Sequence, residues 1–549
     1  MTAWFYHAMQ AFQASDVDSP LGWAVIAMFC LLVSEWNVEP LSNLPLAMAH
    51  HMLRCLIVAC ALLFAGLFAG PIQAQRPDPP RLPEVAHLPA DVTTHQVLET
   101  PGRILRFSAT AGSMRLTDAK DAPRTDIAFV AYQVDGADAA TRPVTFAFNG
   151  GPGMASAWLQ MGAVGPWRVR LDPHADGPSA SAVPVPNAET WLDFTDLVFL
   201  DPPGTGYSRI LTTDAEVRRT LWSVDGDIEV LAEAIRRWLD RSGRGVSPKY
   251  ILGESYGGLR GPRLASALLT DQGVGVSGLV LLSPFLDAHV ASGYADPFDW
   301  VDALPSEVAV VRAQRGPVAR ADMQDVEAYA ATEYVVDILR GNDPAALDRL
   351  TAKVTGLTGL DPALVRRMGG RLDPAVFQRM LVPGRVLSVY DGTASRPNPT
   401  PRALSAWFPD PLLAGFEAPV TSAMMAIYAD KLNWRPDQVY HLSNRAANRA
   451  WDWGRGMGRP EAFTAMEAIR SVDPHLKVLI AHGLFDLQTP YFGTVRMLRL
   501  VPEMAGSSPI SLRVYPGGHM FYFDDASRSA LRVDAKTVFD PGDTTGAAQ

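Results

Sequence analysis

Six apolar runs of three to five residues recur along the chain, at 144–148, 197–200, 250–252, 279–282, 478–481 and 512–515. Most end in a Gly, Pro or Asp loop, and long connections separate them. Runs this short and this apolar predict strands covered on both faces, and such strands belong to a mostly parallel sheet flanked by helices. Two earlier segments, 103–107 and 127–134, alternate or run apolar between Gly and Asp clusters and predict hairpins at a sheet edge. One connection is clearly helical. Ile228, Leu231, Ile235 and Leu239 share one face, with Ser223 or Asp225 to start the helix and Gly243 to end it.

From 286 to 447 the strand signals fade. Asp343-Pro344, Asp361-Pro362 and Asp373-Pro374 each place Asp at an N-cap and Pro at the first helical position. Residues 325–340, followed by Gly341, predict another helix. This stretch therefore reads as a mainly helical insertion, the alternative being a separate helical domain. Chemistry-bearing motifs resume after it, which favours a cap over the active site. The expected organisation is a first core part at 102–285, the cap at 286–447, a second core part at 448–540 and a tail at 541–549.

The start of the chain is not expected to join the fold. Met52-Leu53-Arg54 precedes an apolar run, 55–68, and a small-x-small end, Ile72-Gln73-Ala74, which together fit a secretory signal cleaved before Gln75. The run is short for a spanning helix. Residues 1–47 lie upstream of that signal, and an over-extended start, with translation from Met48 or Met52, is the leading reading; a membrane-anchored N-terminus is the rival. Residues 1–74 are set aside, and the Pro-rich stretch 75–101 is expected to be a linker.

The 3 cysteines, Cys30, Cys55 and Cys60, all precede Gln75, so the rest of the chain holds no disulfide framework, cysteine nucleophile or zinc–cysteine site. With a net charge of -10 and no basic stripe, the chain lacks the footprint of a nucleic-acid binder.

Three motifs carry the chemistry. Gly253-Glu254-Ser255-Tyr256-Gly257-Gly258 follows one apolar run and precedes helical spacing at Leu264, Leu268 and Leu269, the strand–turn–helix setting of a nucleophile elbow. The sharp turn strains Ser255 and needs small neighbours. Asp486 follows the run ending at Ala481, in a position to hold an imidazole in its working tautomer. His519 sits on the Gly517-Gly518 loop after another run, as a general base. The order Ser, Asp, His is that of α/β-hydrolases, so the fold expected is an α/β-hydrolase with a mostly parallel central sheet and a helical cap. Asn149-Gly150-Gly151-Pro152-Gly153 offers backbone N–H groups suited to an oxyanion hole. His174, His289, His441, His475 and His482 lack comparable settings and are expected to be structural or exposed.

The segments FNGGPG, DPPGTGYS, GESYGG, GLFDLQTP and GGHM together resemble the serine carboxypeptidase family, in a bacterial-type member, over roughly residues 97–533. The resemblance implies Ser255, Asp486 and His519 as the triad, and the N–H groups of Gly151 and Tyr256 as the oxyanion hole. It implies that Asn149 and Glu254 hold the substrate's terminal carboxylate, with Met520 beside them. Glu254 would then be protonated, which requires a raised pKa. The sequence departs from the family at several points. Ala147 stands where eukaryotic members carry Trp, Ala163 where a second Glu is usual, and Phe521-Tyr522 where Val-Pro follows the His-Met pair.

The implied protein is an exported, periplasmic or secreted carboxypeptidase acting on peptides with a free C-terminus. It would use no metal or organic cofactor and bind no nucleic acid, and it would contact the membrane only through an uncleaved N-terminal segment. An esterase or acyltransferase on the same scaffold, or a non-catalytic envelope binding module, remain alternatives on the residues alone.

Overall fold

Burial decides the strands. In chain order the main sheet is built from Val92–Thr100 (β1), Arg103–Thr117 (β2), Pro123–Val134 (β3), Val144–Phe148 (β4), Asp196–Leu200 (β5), Lys249–Glu254 (β6), Gly278–Leu282 (β7), Lys477–Gly483 (β8) and Ile510–Tyr515 (β9). Strands β4, β5 and β7 are buried at every residue, and β6 and β8 at all but the first. The structure is a computed structural model that describes residues 87–174, 182–288, 296–402, 409–454, 460–502 and 504–540, all within the unit Val85–Gln549. The predicted signal segment, the three cysteines, His289 and the tail 541–549 lie outside the described residues.

The sheet runs β1-β2-β3-β5-β4-β6-β7-β8-β9, with the two-residue strand Arg209–Ile210 pairing on β3. From β1 to β3 and on to β5 the pairing is antiparallel. From β5 to β9 every neighbour is parallel. One correction concerns the expected linker 75–101: its last part is β1, paired with β2 through all nine of its residues.

Alternate side chains of the parallel strands feed two core layers. Phe146, Ile251, Leu281 and Ile480 face the helices Val224–Ser242 (α1), Tyr256–Asp271 (α2) and Phe463–Val472 (α3). Ala147, Leu252, Val280 and Leu479 face the other side, toward Asp525–Phe539 (α4). Helix α1 is the predicted one. Ser223 accepts from Gly226 N–H, Gly243 ends the helix at φ 67°, and Ile228, Leu231, Ile235 and Leu239 are all buried. Each such side chain contributes roughly 1.5–3 kcal/mol on leaving water.

Between β7 and α3 the chain is mainly helical. Phe298–Ala313, Pro344–Thr358, Pro362–Arg367, Pro374–Met380 and Pro411–Ala426 account for most of it, with one small hairpin at Arg385–Leu387 and Ser395–Pro397. Asp343, Asp361 and Asp373 cap their helices through the side chain, and Asp410-Pro411 is a fourth start of the same kind. The segment 325–340 is helical with a π-turn at Ala330–Tyr334. This is an α/β-hydrolase fold, with the loops after β4, β6, β7, β8 and β9 gathered at the carboxyl edge of the parallel strands, where ligands bind in open α/β sheets.

Candidate active site

Ser255 occupies the turn between β6 and α2. Its backbone angles, φ 59° and ψ -122°, are strained for a residue with a Cβ. Hydrogen bonds fix the turn: Ser255 N–H donates to Leu282 O at 3.0 Å, and Ser255 O accepts from Gly258 N–H at 2.7 Å and Phe285 N–H at 2.9 Å. The small neighbours are required. A Cβ on Gly253 would lie 2.1 Å from Gly257 O, and one on Gly258 2.1 Å from Pro284 Cβ.

Asp486 and His519 meet. His519 Nδ1 lies 2.8 Å from Asp486 Oδ2, with both side chains buried. Asp486 is held in turn by three donors: Gln488 N–H and Thr489 N–H on Oδ1, at 2.8 and 2.9 Å, and the Thr489 hydroxyl on Oδ2 at 2.7 Å. The His519 loop is pinned on its far side, where Ser283 Oγ donates to His519 O at 2.7 Å. Burial pulls the His519 pKa down. The charge and hydrogen bond of Asp486, with the charge of Glu254, outweigh that and leave it above the ordinary imidazole value.

Ser255 and His519 line one cavity of about 60 Å³, together with Asn149, Gly151, Glu254 and Met520. Among the described residues Ser255 Oγ makes no hydrogen bond to His519, a spacing usual in empty sites that close on substrate. Tyr256 is the first residue of α2, so its N–H has no intrahelical acceptor and is free for a ligand oxygen. Gly151, at φ 104°, lies on the facing loop.

Glu254 and Asn149 are almost completely buried. Burial pushes the Glu254 pKa up to about 7, with His519, the Tyr522 hydroxyl and Asn149 pulling against it and Asp486 adding to it. Tyr522 Oη donates to Glu254 Oε2 at 2.6 Å. Asn149 Oδ1 accepts from Leu159 N–H at 2.9 Å, while its Nδ2 is buried without a partner. Met520 is buried at the cavity wall.

Several residues of the site carried no sequence signal. Tyr390 covers His519 edge-on, with ring centroids 5.3 Å apart, and its carbonyl accepts the His519 N–H. Tyr390 and Leu413, both from the mainly helical excursion, line the cavity. Thr489 was visible in the Asp486-Leu487-Gln488-Thr489 segment, but its bond to the carboxylate was not. Of the other histidines, His174, His441 and His475 are exposed. His482 is fully buried against Thr494 Oγ1 at 2.8 Å, and burial pushes its pKa down to about 4, so it is a neutral core residue. Among the described residues no cluster of His, Cys, Asp or Glu is arranged to hold a metal ion.

The hinge of the site is tight enough to test. A Cβ on Gly483, at the end of β8, would lie 1.8 Å from Gly518 O, inside the His519 loop. Gly483→Ala is expected to destabilise the fold by about 1–3 kcal/mol and to depress turnover by displacing His519. Thermal unfolding and steady-state kinetics check this, and a variant matching the parent in both would refute it.

Residues 105–330 match the serine carboxypeptidase family. That span holds Asn149, Gly151, Glu254, Ser255 and Tyr256, and it ends before Asp486 and His519. Serine carboxypeptidase-like 36 of Arabidopsis thaliana is 26% identical over 171 residues, 30% of this chain and 33% of that protein. Pheromone-processing carboxypeptidase KEX1 of Coprinopsis cinerea is 32% identical over 154 residues, 27% of this chain and 22% of that protein. The chain thus matches a third or less of the length of these curated relatives. In fold it is similar to the crystal structure of KEX1(delta)p, a prohormone-processing carboxypeptidase from Saccharomyces cerevisiae. The TM-score is 0.50 at 13% identity, over 80% of this chain and 92% of that one.

Proposed function

We propose that the protein is an exported serine-type carboxypeptidase, of bacterial type, that removes single residues from peptides with a free C-terminus. The observation that carries this reading is the buried Asp486–His519 pair facing the strained Ser255 across one cavity. The match of residues 105–330 to the serine carboxypeptidase family supports it. Export, to the periplasm or beyond, rests on the signal-like sequence before Gln75.

His519 takes the proton of Ser255 as Oγ attacks the last peptide carbonyl. The N–H groups of Gly151 and Tyr256 stabilise the oxyanion of the tetrahedral intermediate. His519 then gives its proton to the leaving amine, and the C-terminal amino acid departs. A water attacks the acyl-enzyme, loses its proton to His519, and the shortened peptide leaves with a new carboxylate. Asp486 keeps the imidazole in the tautomer that presents Nε2 as base. Asn149 and protonated Glu254 hold the substrate's terminal carboxylate.

Blocked peptides incubated with the protein and with Ser255→Ala, followed by mass spectrometry, test the proposal. Loss of single C-terminal residues is expected from the parent alone, and only from peptides ending in a carboxylate. Its KM for them should rise as pH climbs through about 7, because Glu254 then ionises and repels the substrate. Intact peptides beside Ser255-dependent cleavage of simple esters would overturn the peptidase reading in favour of an esterase.

A further inference from the structure

We propose that Trp158 and Tyr522 rebuild the carboxylate clamp of this chain: the Trp158 indole N–H joins the Asn149 amide in binding the substrate's terminal carboxylate, and the Tyr522 hydroxyl positions Glu254 beside them. The inference rests on the carboxypeptidase reading. It accounts for the positions where the chain departs from the family it resembles, Ala147, Ala163 and Tyr522.

Two orphaned donors sit in the cavity. Asn149 Nδ2 and Trp158 Nε1 are both buried without a hydrogen-bond partner, and both residues line the cavity that holds Ser255 and Glu254. Buried polar groups are nearly always paired, so two unpaired donors beside a nucleophile call for an acceptor from outside. One short stretch of backbone arranges them. Leu159 N–H ties down Asn149 Oδ1, which turns the amide nitrogen away from that turn, and Trp158 is the residue just before it. Two N–H donors with no fixed cation between them suit a carboxylate that also receives a proton from a neutral acid.

Glu254 is that acid, and Tyr522 fixes it. Its hydroxyl takes up Oε2, leaving Oε1 to face the ligand. The Tyr522 ring lies where a side chain on Gly162 would clash, since a Cβ there would meet Tyr522 Cε2 at 2.7 Å. Gly162 adjoins Ala163, the position of the absent second Glu. A phenol thus occupies the neighbourhood of a second carboxyl, and burial, reinforced by the charge of Glu254, keeps it protonated. The other ionisable groups acting on Glu254 are His519 and Asp486, and Tyr390 faces it from the helical excursion.

The test compares kcat/KM for blocked peptides ending in a carboxylate with the same peptides ending in an amide, across pH, in the full chain. Trp158→Phe keeps the bulk and removes the donor. It is expected to raise KM for the free-acid peptide by about ten- to a hundredfold and to shrink the acid-to-amide preference by the same factor. Tyr522→Phe removes a bond that favours ionised Glu254, so the loss of free-acid binding should move to higher pH. Should Trp158→Phe fail to fold, the indole N–H resonances of the 15N-labelled parent provide the readout. One is expected to move downfield on adding a blocked amino acid with a free carboxylate, and not with its amide. An unchanged preference in Trp158→Phe, or no responding indole, overturns the role of Trp158. An unmoved pH limb overturns that of Tyr522. A parent that shows no Ser255-dependent cleavage of free-acid peptides overturns the underlying reading instead.

Discussion

Asp486→Asn is expected to lower kcat by about 10⁴-fold with little change in stability. The geometry dictates which way the new amide must face. Asp486 Oδ1 accepts two backbone N–H bonds, from Gln488 and Thr489, so the asparagine oxygen is retained there. Its NH₂ then points at His519 Nδ1, where the carboxylate oxygen stood 2.8 Å away. A donor at that place forces Nδ1 to accept, which puts the imidazole proton on Nε2, the atom that has to receive the proton of Ser255. The charge is lost as well, and with it the upward pull of Asp486 on the imidazole pKa, so the ionisation governing any residual rate should fall. The kcat–pH profile of the variant, beside its thermal unfolding curve, checks both points. Activity within tenfold of the parent would mean that His519 is not the base that Asp486 orients.

The parallel half of the fold was legible because its strands are buried on both faces, and nothing but an apolar run fits there. Strand β1 was not legible for the opposite reason. It lies at the sheet edge, only Leu98 among its nine residues is buried, and its His, Gln and Thr side chains look like linker after a Pro-rich stretch. Its strand character comes from pairing with β2, which no local pattern reports. The triad was legible because each member ends a strand in a Gly-rich or Asp-bearing loop. Trp158 and Tyr522 were not, because an indole in a helical turn and a phenol in a short aromatic run read as core. They become donors only when the chain packs Glu254 and Asn149 beside them. Arg260 was overlooked for a related reason. It looks like a surface arginine on a helix, yet it is 0% exposed.

That arginine carries the second large effect. Arg260 Nε donates to Asp227 Oδ2 at 2.7 Å and Nη1 to Asn149 O at 2.6 Å, while the guanidinium lies over the rings of Tyr256 and Phe148. Tyr256 Oη adds a bond to the same Asp227 oxygen at 3.3 Å. The ion pair therefore ties α1, the elbow helix α2 and the oxyanion loop together from beneath. Asp227→Ala leaves a buried guanidinium with one carbonyl for company, and is expected to cost about 3–5 kcal/mol. Asp227→Leu combined with Arg260→Met removes both charges and should recover much of that stability, because replacing a whole buried pair by apolar groups is often neutral. It should not recover function to the same degree, since Asn149 O then has no latch and the loop bearing Asn149 and Gly151 is freed. Urea unfolding and the acid-to-amide preference separate the two effects. A double variant as selective as the parent would show that the loop is held without Arg260, and a single variant within about 1 kcal/mol of the parent would show that water reaches the charge.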